Sequence, residues 1–169
     1  MSNISMTTSK RNAIVTVMLI SAFVSMLNQT ILNTALPAII KGLNITETTA
    51  QWLITGFMLV NGIMIPLTAF LMDKYSTRHL YIFSMAIFLI GSIIAAFSPT
   101  FTILMISRII QAIGAGILLP LMQFTVFTLF PAEQRGFAMG LAGVVVQSAP
   151  AIGPTLTGLF VDLFSWRMP

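Results

Sequence analysis

Asp73-Lys74-Tyr75-Ser76-Thr77-Arg78-His79 separates two long apolar runs. The contrast gives this stretch its meaning: charged residues make up 7% of the 169-residue chain, against roughly a quarter in soluble domains. Hydrophobic residues make up 57%, and the mean hydropathy is +0.97. Such a chain cannot hide its apolar surface inside a water-soluble globule, so the charged stretch reads as a turn outside a bilayer.

Working outward, residues 12–40, 48–72, 80–107, 109–132 and 136–161 carry no charge. Each run exceeds the roughly 20 residues that cross a hydrocarbon core about 30 Å thick. Backbone polar groups in lipid must be satisfied within their own segment, which makes these runs helices. The fold class expected is therefore all-α integral membrane, with five transmembrane helices at roughly 13–40, 49–72, 79–98, 101–130 and 134–164. The first run is too long for the apolar region of a signal peptide and is read as helix one.

Lysine and arginine set the expected orientation. With the N-terminus cytoplasmic, Lys10, Arg11, Lys74, Arg78 and Arg135 fall inside, and Lys41 and Arg167 fall outside, as the positive-inside bias requires. The C-terminus is then external. The pI near 10.2 does not indicate nucleic acid, because the basic residues are spread over loops and form no patch. No cysteine is present, and one histidine with four carboxylates forms no hydrolytic or metal-binding constellation. The expectation is a protein that is not an enzyme and holds no metal.

The connections are short. Lys41-Gly42-Leu43-Asn44 ends helix one, and Thr46 with Thr48 or Thr49 can cap helix two. Ser98-Pro99-Thr100 makes a tight turn. Pro131-Ala132-Glu133 opens helix five, with proline at a first helical position and an acid at the positive end of the helix dipole. Asp73 stands at the opposite end of helix two, where an anion needs a compensating cation; Arg78 and Arg135 are the candidates.

Polar and small residues within the spans point to function. Arg108 lies one or two turns inside helix four, on the same face as Gln111, Ala112 and Ala115. A cation at the bilayer centre costs roughly 2.5–3.5 kcal/mol on insertion scales, so this face is expected to look into the bundle or a wet cavity. The alternative is that Arg108 snorkels to the nearby interface. Helix one places Ser21, Ser25 and Asn28 on one face, with Asn33 and Thr34 beyond, and helix two adds Gln51, Thr55 and Gly62. Asn28 is read either as part of a cavity or as a residue that hydrogen-bonds a neighbouring helix. On helix five, Gly136, Gly140, Gly143, Gln147, Pro150 or Ala151, Pro154 and Gly158 form a stripe of small residues broken by one amide. Gly136 and Gly140 are a G-x-x-x-G pair, which lets another helix approach closely, so association through Gly136, Gly140 and Gly143 is expected. Pro150 and Pro154 remove two backbone donors and should bend the helix. The Met and Phe residues are read as lipid-facing or packing residues.

Four segments resemble signatures of the major facilitator superfamily, specifically a drug:proton antiporter of the fourteen-helix branch, the lincomycin and multidrug exporter type. Leu27-Asn28-Gln29-Thr30-Ile31-Leu32-Asn33-Thr34-Ala35-Leu36-Pro37 matches the first-helix signature L-D-x-T-x-x-N-x-A-L-P. Ala69 through Arg78 matches the loop signature G-x-L-a-D-r-x-G-r-k. Arg108-Ile109-Ile110-Gln111-Ala112-Ile113-Gly114 matches R-x-x-Q-G-x-G, and Ala149-Pro150-Ala151-Ile152-Gly153-Pro154 followed by Gly158 matches the fifth-helix antiporter signature.

The resemblance implies proton coupling and cavity roles for Arg108, Gln111 and Asn28, and a cytoplasmic gate of Asp73 and Arg78. It implies an antiporter hinge at Pro150, Gly153, Pro154 and Gly158. No cofactor is implied; the proton gradient is the energy source. The partners implied are the lipid of the plasma membrane and, in the complete transporter, a small amphipathic drug. The chain departs from the pattern where Ala69, Ser76, Ala112 and Thr157 replace glycines, and where Asn28 stands for an acid that could take a proton. It also ends just after helix five, short of the two pseudo-symmetric halves of such transporters. Residues 1–169 are therefore expected to be a partial N-terminal bundle of a drug exporter, inactive alone. The alternatives are a non-transporting protein that associates with partner helices, or the inert product of a disrupted reading frame.

Overall fold

A computed structural model describes the backbone of residues 8–163 and the side chains of residues 8–158. Arg167, expected outside the membrane, lies beyond the described residues. Five helices account for nearly all of them: α1 (Thr8–Leu43), α2 (Glu47–Lys74), α3 (Thr77–Ala96), α4 (Phe101–Leu129) and α5 (Ala132–Leu163). All five are long and apolar enough to cross a membrane. Helix one begins about a turn earlier than the charge pattern suggests, at Thr8, because Lys10 and Arg11 continue the helix instead of preceding it. Pro37, Pro66, Pro120, Pro150 and Pro154 lie inside helices that remain continuous.

Local chemistry fixes the ends. Asn44 takes the left-handed conformation (φ 52°) after α1, a conformation asparagine tolerates better than most residues. The Ile45 N–H then reaches back to the Ile40 carbonyl at 3.2 Å, closing a Schellman turn around otherwise unpaired carbonyls. Thr46, Ser76 and Thr100 cap α2, α3 and α4, each hydroxyl accepting the N–H three residues on. The connections are too short for anything but antiparallel neighbours, so α1–α5 alternate in direction.

Helix α4 is the axis of the bundle. Of its most apolar stretch 56% is buried, against 28% or less in the other four helices. It packs on α3, α2 and α1, while α5 lies chiefly on α1. Lipid tails are as apolar as leucine, so association rests on close packing and on interhelical hydrogen bonds. The close packing is achieved by glycines on α3 and α4. A Cβ on Gly114 would stand 2.6 Å from the Ser84 carbonyl oxygen and 2.9 Å from the Phe88 nitrogen. A Cβ on Gly91 would stand 2.9 Å from the Gln111 nitrogen. These two positions bring the backbones of α3 and α4 together.

Met18, Ala22, Met64, Leu121, Met122 and Val146 join α1, α2, α4 and α5 in one apolar cluster. A second cluster at the Leu43 end contains Leu36, Ile39, Leu53 and Leu104. Large apolar residues such as Ile20, Leu59, Ile63, Phe83 and Leu89 are exposed on the outside of the unit, as expected of helices that cross a membrane.

Candidate functional site: a buried arginine at the helix junction

Arg108 lies seven residues into α4, about 10 Å along the helix axis. It is fully buried, with 0% of its surface exposed, so it does not snorkel. Its Nη1 donates to Asn28 Oδ1 on α1 at 3.0 Å and to Gln111 Oε1 one turn along α4 at 2.8 Å. A guanidinium can only donate, which requires both amides to turn their oxygens toward it. The Gln111 amide nitrogen then donates to Ser92 Oγ on α3 at 3.0 Å, and Ser92 donates to the Phe88 carbonyl at 2.9 Å. Below the guanidinium lies the Phe57 ring of α2, with 4.3 Å between the guanidinium carbon and the ring centroid, a cation–π distance. One side chain therefore contacts α1 and α2 and reaches α3 through Gln111.

No carboxylate compensates this cation among the described residues. Glu47, Asp73 and Glu133 are all exposed at helix ends. Asn28, where a carboxylate would complete a buried ion pair, is a neutral amide. Arg108 Nε and Nη2 are buried and find no hydrogen-bond acceptor. Buried polar groups are rarely left so, and a desolvated cation depends on each donor it can satisfy. The site can hold a positive charge at a fixed point, but with only part of its hydrogen-bonding capacity used.

The other expected residues are placed differently. Ser21 and Ser25 are buried and Asn28 half-buried, whereas Asn33, Thr34, Gln51, Thr55 and Gly62 are exposed, so only part of the polar faces of α1 and α2 turns into the bundle. Ser21 shares a hydrogen with Tyr81 Oη of α3 at 2.6 Å. Asp73 and Arg78 are both exposed at the turn between α2 and α3, with no ion pair between them among the described residues. Arg135, the other candidate partner of Asp73, donates from Nε to the Phe130 carbonyl at 3.0 Å and so closes the end of α4.

On α5 the small-residue stripe points away from the bundle. Gly136, Gly140, Gly143, Gln147, Pro150, Ala151, Pro154 and Gly158 are all exposed, and nothing stands within 4 Å of a Cβ built on Gly136, Gly140, Gly143 or Gly158. The face that packs on α1 is the neighbouring one, with Ala142, Val146, Ala149, Gly153 and Thr157. Gly153 sits against Thr30, whose Cγ2 would lie 2.7 Å from an added Cβ.

Sequence reasoning did not single out Phe57, Ser92 or Gly91. Ser92 carried a readable signal, because Gly91-Ser92 is a small-polar pair within an otherwise apolar stretch of α3. Phe57 carried none, being one of 13 phenylalanines.

A family model described as Major Facilitator Superfamily matches residues 18–169. An "Uncharacterized MFS-type transporter YcnB" of Bacillus subtilis (strain 168) is 55% identical over 157 residues, covering 93% of this chain and 33% of the relative. The "Lincomycin resistance protein LmrB" of the same organism is 44% identical over 150 residues, 89% of this chain and 31% of the relative. The "Probable multidrug resistance protein EmrY" of Escherichia coli (strain K12) is 35% identical over 147 residues, 87% of this chain and 29% of the relative. The chain thus spans about a third of the length of the curated relatives it matches.

Proposed function

Because this chain belongs to the major facilitator superfamily, we propose that its five helices are the N-terminal part of a proton-coupled exporter of amphipathic drugs. The observation that carries this reading is the buried Arg108, held by Asn28 and Gln111 and stacked on Phe57 with no carboxylate beside it. An uncompensated cation inside a membrane bundle is costly, and intramembrane charges of this kind mark ion and substrate pathways. The names of the relatives, resistance to lincomycin and to multiple drugs, support efflux as the activity. Arg108 is the charge that coupling acts on, Asn28 and Gln111 hold it in place, and no cofactor is needed beyond the proton gradient.

Asp73 and Arg78 form the cytoplasmic gate by engaging groups outside this five-helix unit. Pro150, Gly153, Pro154 and Gly158 form the hinge on α5, where Gly153 lies against α1 and the other three are free to meet another segment. The unit does not complete a transport cycle alone, since about two thirds of the relatives' length lies outside it. One assay tests these points: uncoupler-sensitive accumulation of a fluorescent cationic dye in energised vesicles. A full-length relative accumulates dye; the same relative with the equivalent of Arg108→Ala inserts normally and does not; Asp73→Asn slows turnover more than expression; this chain by itself gives no signal. Normal accumulation by the Arg108→Ala protein defeats the coupling role, and accumulation by the short chain defeats the need for further helices.

The N-terminus faces the cytoplasm of the cell, by the distribution of Lys10, Arg11, Lys74, Arg78 and Arg135. Reporter fusions after Arg78 and Arg135 give cytoplasmic signals and a fusion after Pro99 an external one. The reverse pattern rejects this orientation.

A further inference from the structure

The cations away from the Arg108 site divide into two groups. Among the described residues Lys10, Lys41, Lys74 and Arg78 are exposed, as a solvated charge needs to be, whereas Arg11 and Arg135 are half-buried. Both half-buried arginines are held on one residue, Phe130, which ends α4. The Arg11 guanidinium lies over the Phe130 ring, 4.4 Å from its centroid, and its Nε donates to Asn12 Oδ1 at 3.4 Å. Arg135 donates from Nε to the Phe130 carbonyl at 3.0 Å. The Phe130 side chain packs in turn against the cluster of Val15, Val126 and Ala138, which joins α1, α4 and α5.

In both arginines the Nε is used within the protein and the two terminal nitrogens are not. Those four nitrogens make no hydrogen bond to a described residue, and none of them is buried. No carboxylate among the described residues pairs with either arginine. Glu133, two residues before Arg135, is exposed, and the first turn of α1 carries no acid. Lys10, Arg11 and Arg135 against Glu133 leave this end of α1, α4 and α5 positive.

The depth of the pair follows from the sequence. Arg11 is the last charge before the uncharged run 12–40, and Arg135 the last before 136–161. At 1.5 Å per residue these runs span about 40 Å, roughly the thickness of a bilayer with its headgroup regions. Charges at their ends therefore stand among lipid phosphates, with the apolar cluster under Phe130 on the hydrocarbon side.

We propose that Arg11 and Arg135 form a binding site for the phosphate of an anionic phospholipid, with Phe130 as the shelf that holds both guanidinium groups. A guanidinium presents paired donors that match phosphate oxygens bidentately, which the point charge of a lysine does not. The ring contact and the Nε bonds fix both groups before the lipid arrives and so lower the ordering cost of binding. The positive surroundings favour an anionic headgroup over a zwitterionic one, whose own cation they repel. Closing the end of α4 accounts for the Nε of Arg135 and stacking for the face of Arg11, but neither uses the four terminal nitrogens. This inference depends neither on drug export nor on which side of the membrane this end faces.

The test is native mass spectrometry of the full chain released from micelles that contain equal amounts of phosphatidylglycerol and phosphatidylcholine with matched acyl chains. The wild type is expected to retain phosphatidylglycerol several-fold over phosphatidylcholine; equal retention overturns the site without recourse to any variant. Arg11→Lys and Arg135→Lys keep the charge and remove the paired donors. Each lowers the preference several-fold and the double variant abolishes it, while Arg78→Lys leaves it unchanged. Unaltered retention of phosphatidylcholine and unaltered helical circular dichroism identify variants that remain folded. A wild-type preference in the folded double variant overturns the assignment to these two arginines. Excess inorganic phosphate in a parallel series separates the two sources of the anion: bound phosphatidylglycerol persists if the site is built for lipid, and its displacement assigns the arginines to free phosphate and overturns the proposal.

Discussion

Helices α4 and α5 both carry small and polar residues in a pattern that lipid contact does not favour, yet the fold treats them oppositely. On α4, Arg108, Gln111, Ala112, Gly114 and Ala115 are buried, and each meets a group on another helix or along its own. On α5, Gly136, Gly140, Gly143, Gln147, Pro150, Pro154 and Gly158 face outward. The difference teaches that a stripe of this composition marks a contact surface without saying whether the contact lies inside the same five helices. In water the hydrophobic effect would penalise an apolar surface left open; in lipid a glycine stripe left open forfeits only packing that a partner could supply.

The sharpest way to break the comparison is to put the same bulk on both helices. On Gly114 even a Cβ collides with backbone atoms of Ser84 and Phe88, and backbone cannot rotate away as a side-chain tip can. Gly114→Leu should separate α3 from α4 at a cost of about 3 kcal/mol, the upper end of ordinary overpacking, displacing Gln111 from Ser92 as it does so. Unfolding in mixed micelles of lipid and denaturing detergent, followed by circular dichroism, reads the loss. A Gly114→Leu chain as stable as the wild type would mean that α3 and α4 do not approach as described.

Much of this is legible in the amino-acid sequence. Five uncharged runs gave five helices because a bilayer admits no other backbone solution, and the caps at Thr46 and the turn at Asn44 followed from side chains that satisfy or tolerate helix ends. The inward placement of Arg108 was legible because a buried cation has few alternatives. What was not legible was direction on a helix without strong polarity. Gly136-x-x-x-Gly140 marks a face open to another helix, while the closest backbone approaches at glycines among the described residues fall at Gly91 and Gly114, which lie on different helices and share no sequence spacing. Phe57 was invisible for a related reason: an aromatic ring in lipid and an aromatic ring under a guanidinium have the same local sequence. The milder polar stripe of α2 carried no direction in the sequence, and Gln51, Thr55 and Gly62 all face outward.

A smaller effect probes the polar half of the α4 contact. Ser92 Oγ is the acceptor for the Gln111 amide, 3.0 Å away. Removing it by Ser92→Ala strands a donor in a residue that is 1% exposed. The expected loss is about 1 kcal/mol, as for a buried group deprived of its partner. If the hydrogen bond is the cause, Gln111→Leu should abolish the effect of Ser92→Ala, because both ends are then gone. Additive losses in the double mutant would show that Ser92 acts by packing and that the chain from Arg108 to α3 stops at Gln111.

The smallest effect on the unit is expected at Gly140, and its smallness is informative. Nothing lies within 4 Å of a Cβ there, so Gly140→Ala meets no neighbour among the described residues. Alanine is also the better helix former, by roughly 0.8–1 kcal/mol in a soluble helix interior. Stability of this chain should therefore stay unchanged or rise slightly, in the same micelle titration that registers the large loss at Gly114. The corresponding Gly140→Leu change in a full-length relative separates two explanations of the outward stripe. If the stripe receives a helix from the rest of that protein, close approach is blocked and dye export falls while the amount in the membrane holds. If the stripe faces lipid throughout, leucine is as well accommodated as exposed Leu59, Leu67 and Leu89 of α2 and α3, and export is unaffected. A loss of stability at Gly140→Ala in the isolated chain would contradict both, since it would require a contact on a face that the fold leaves open.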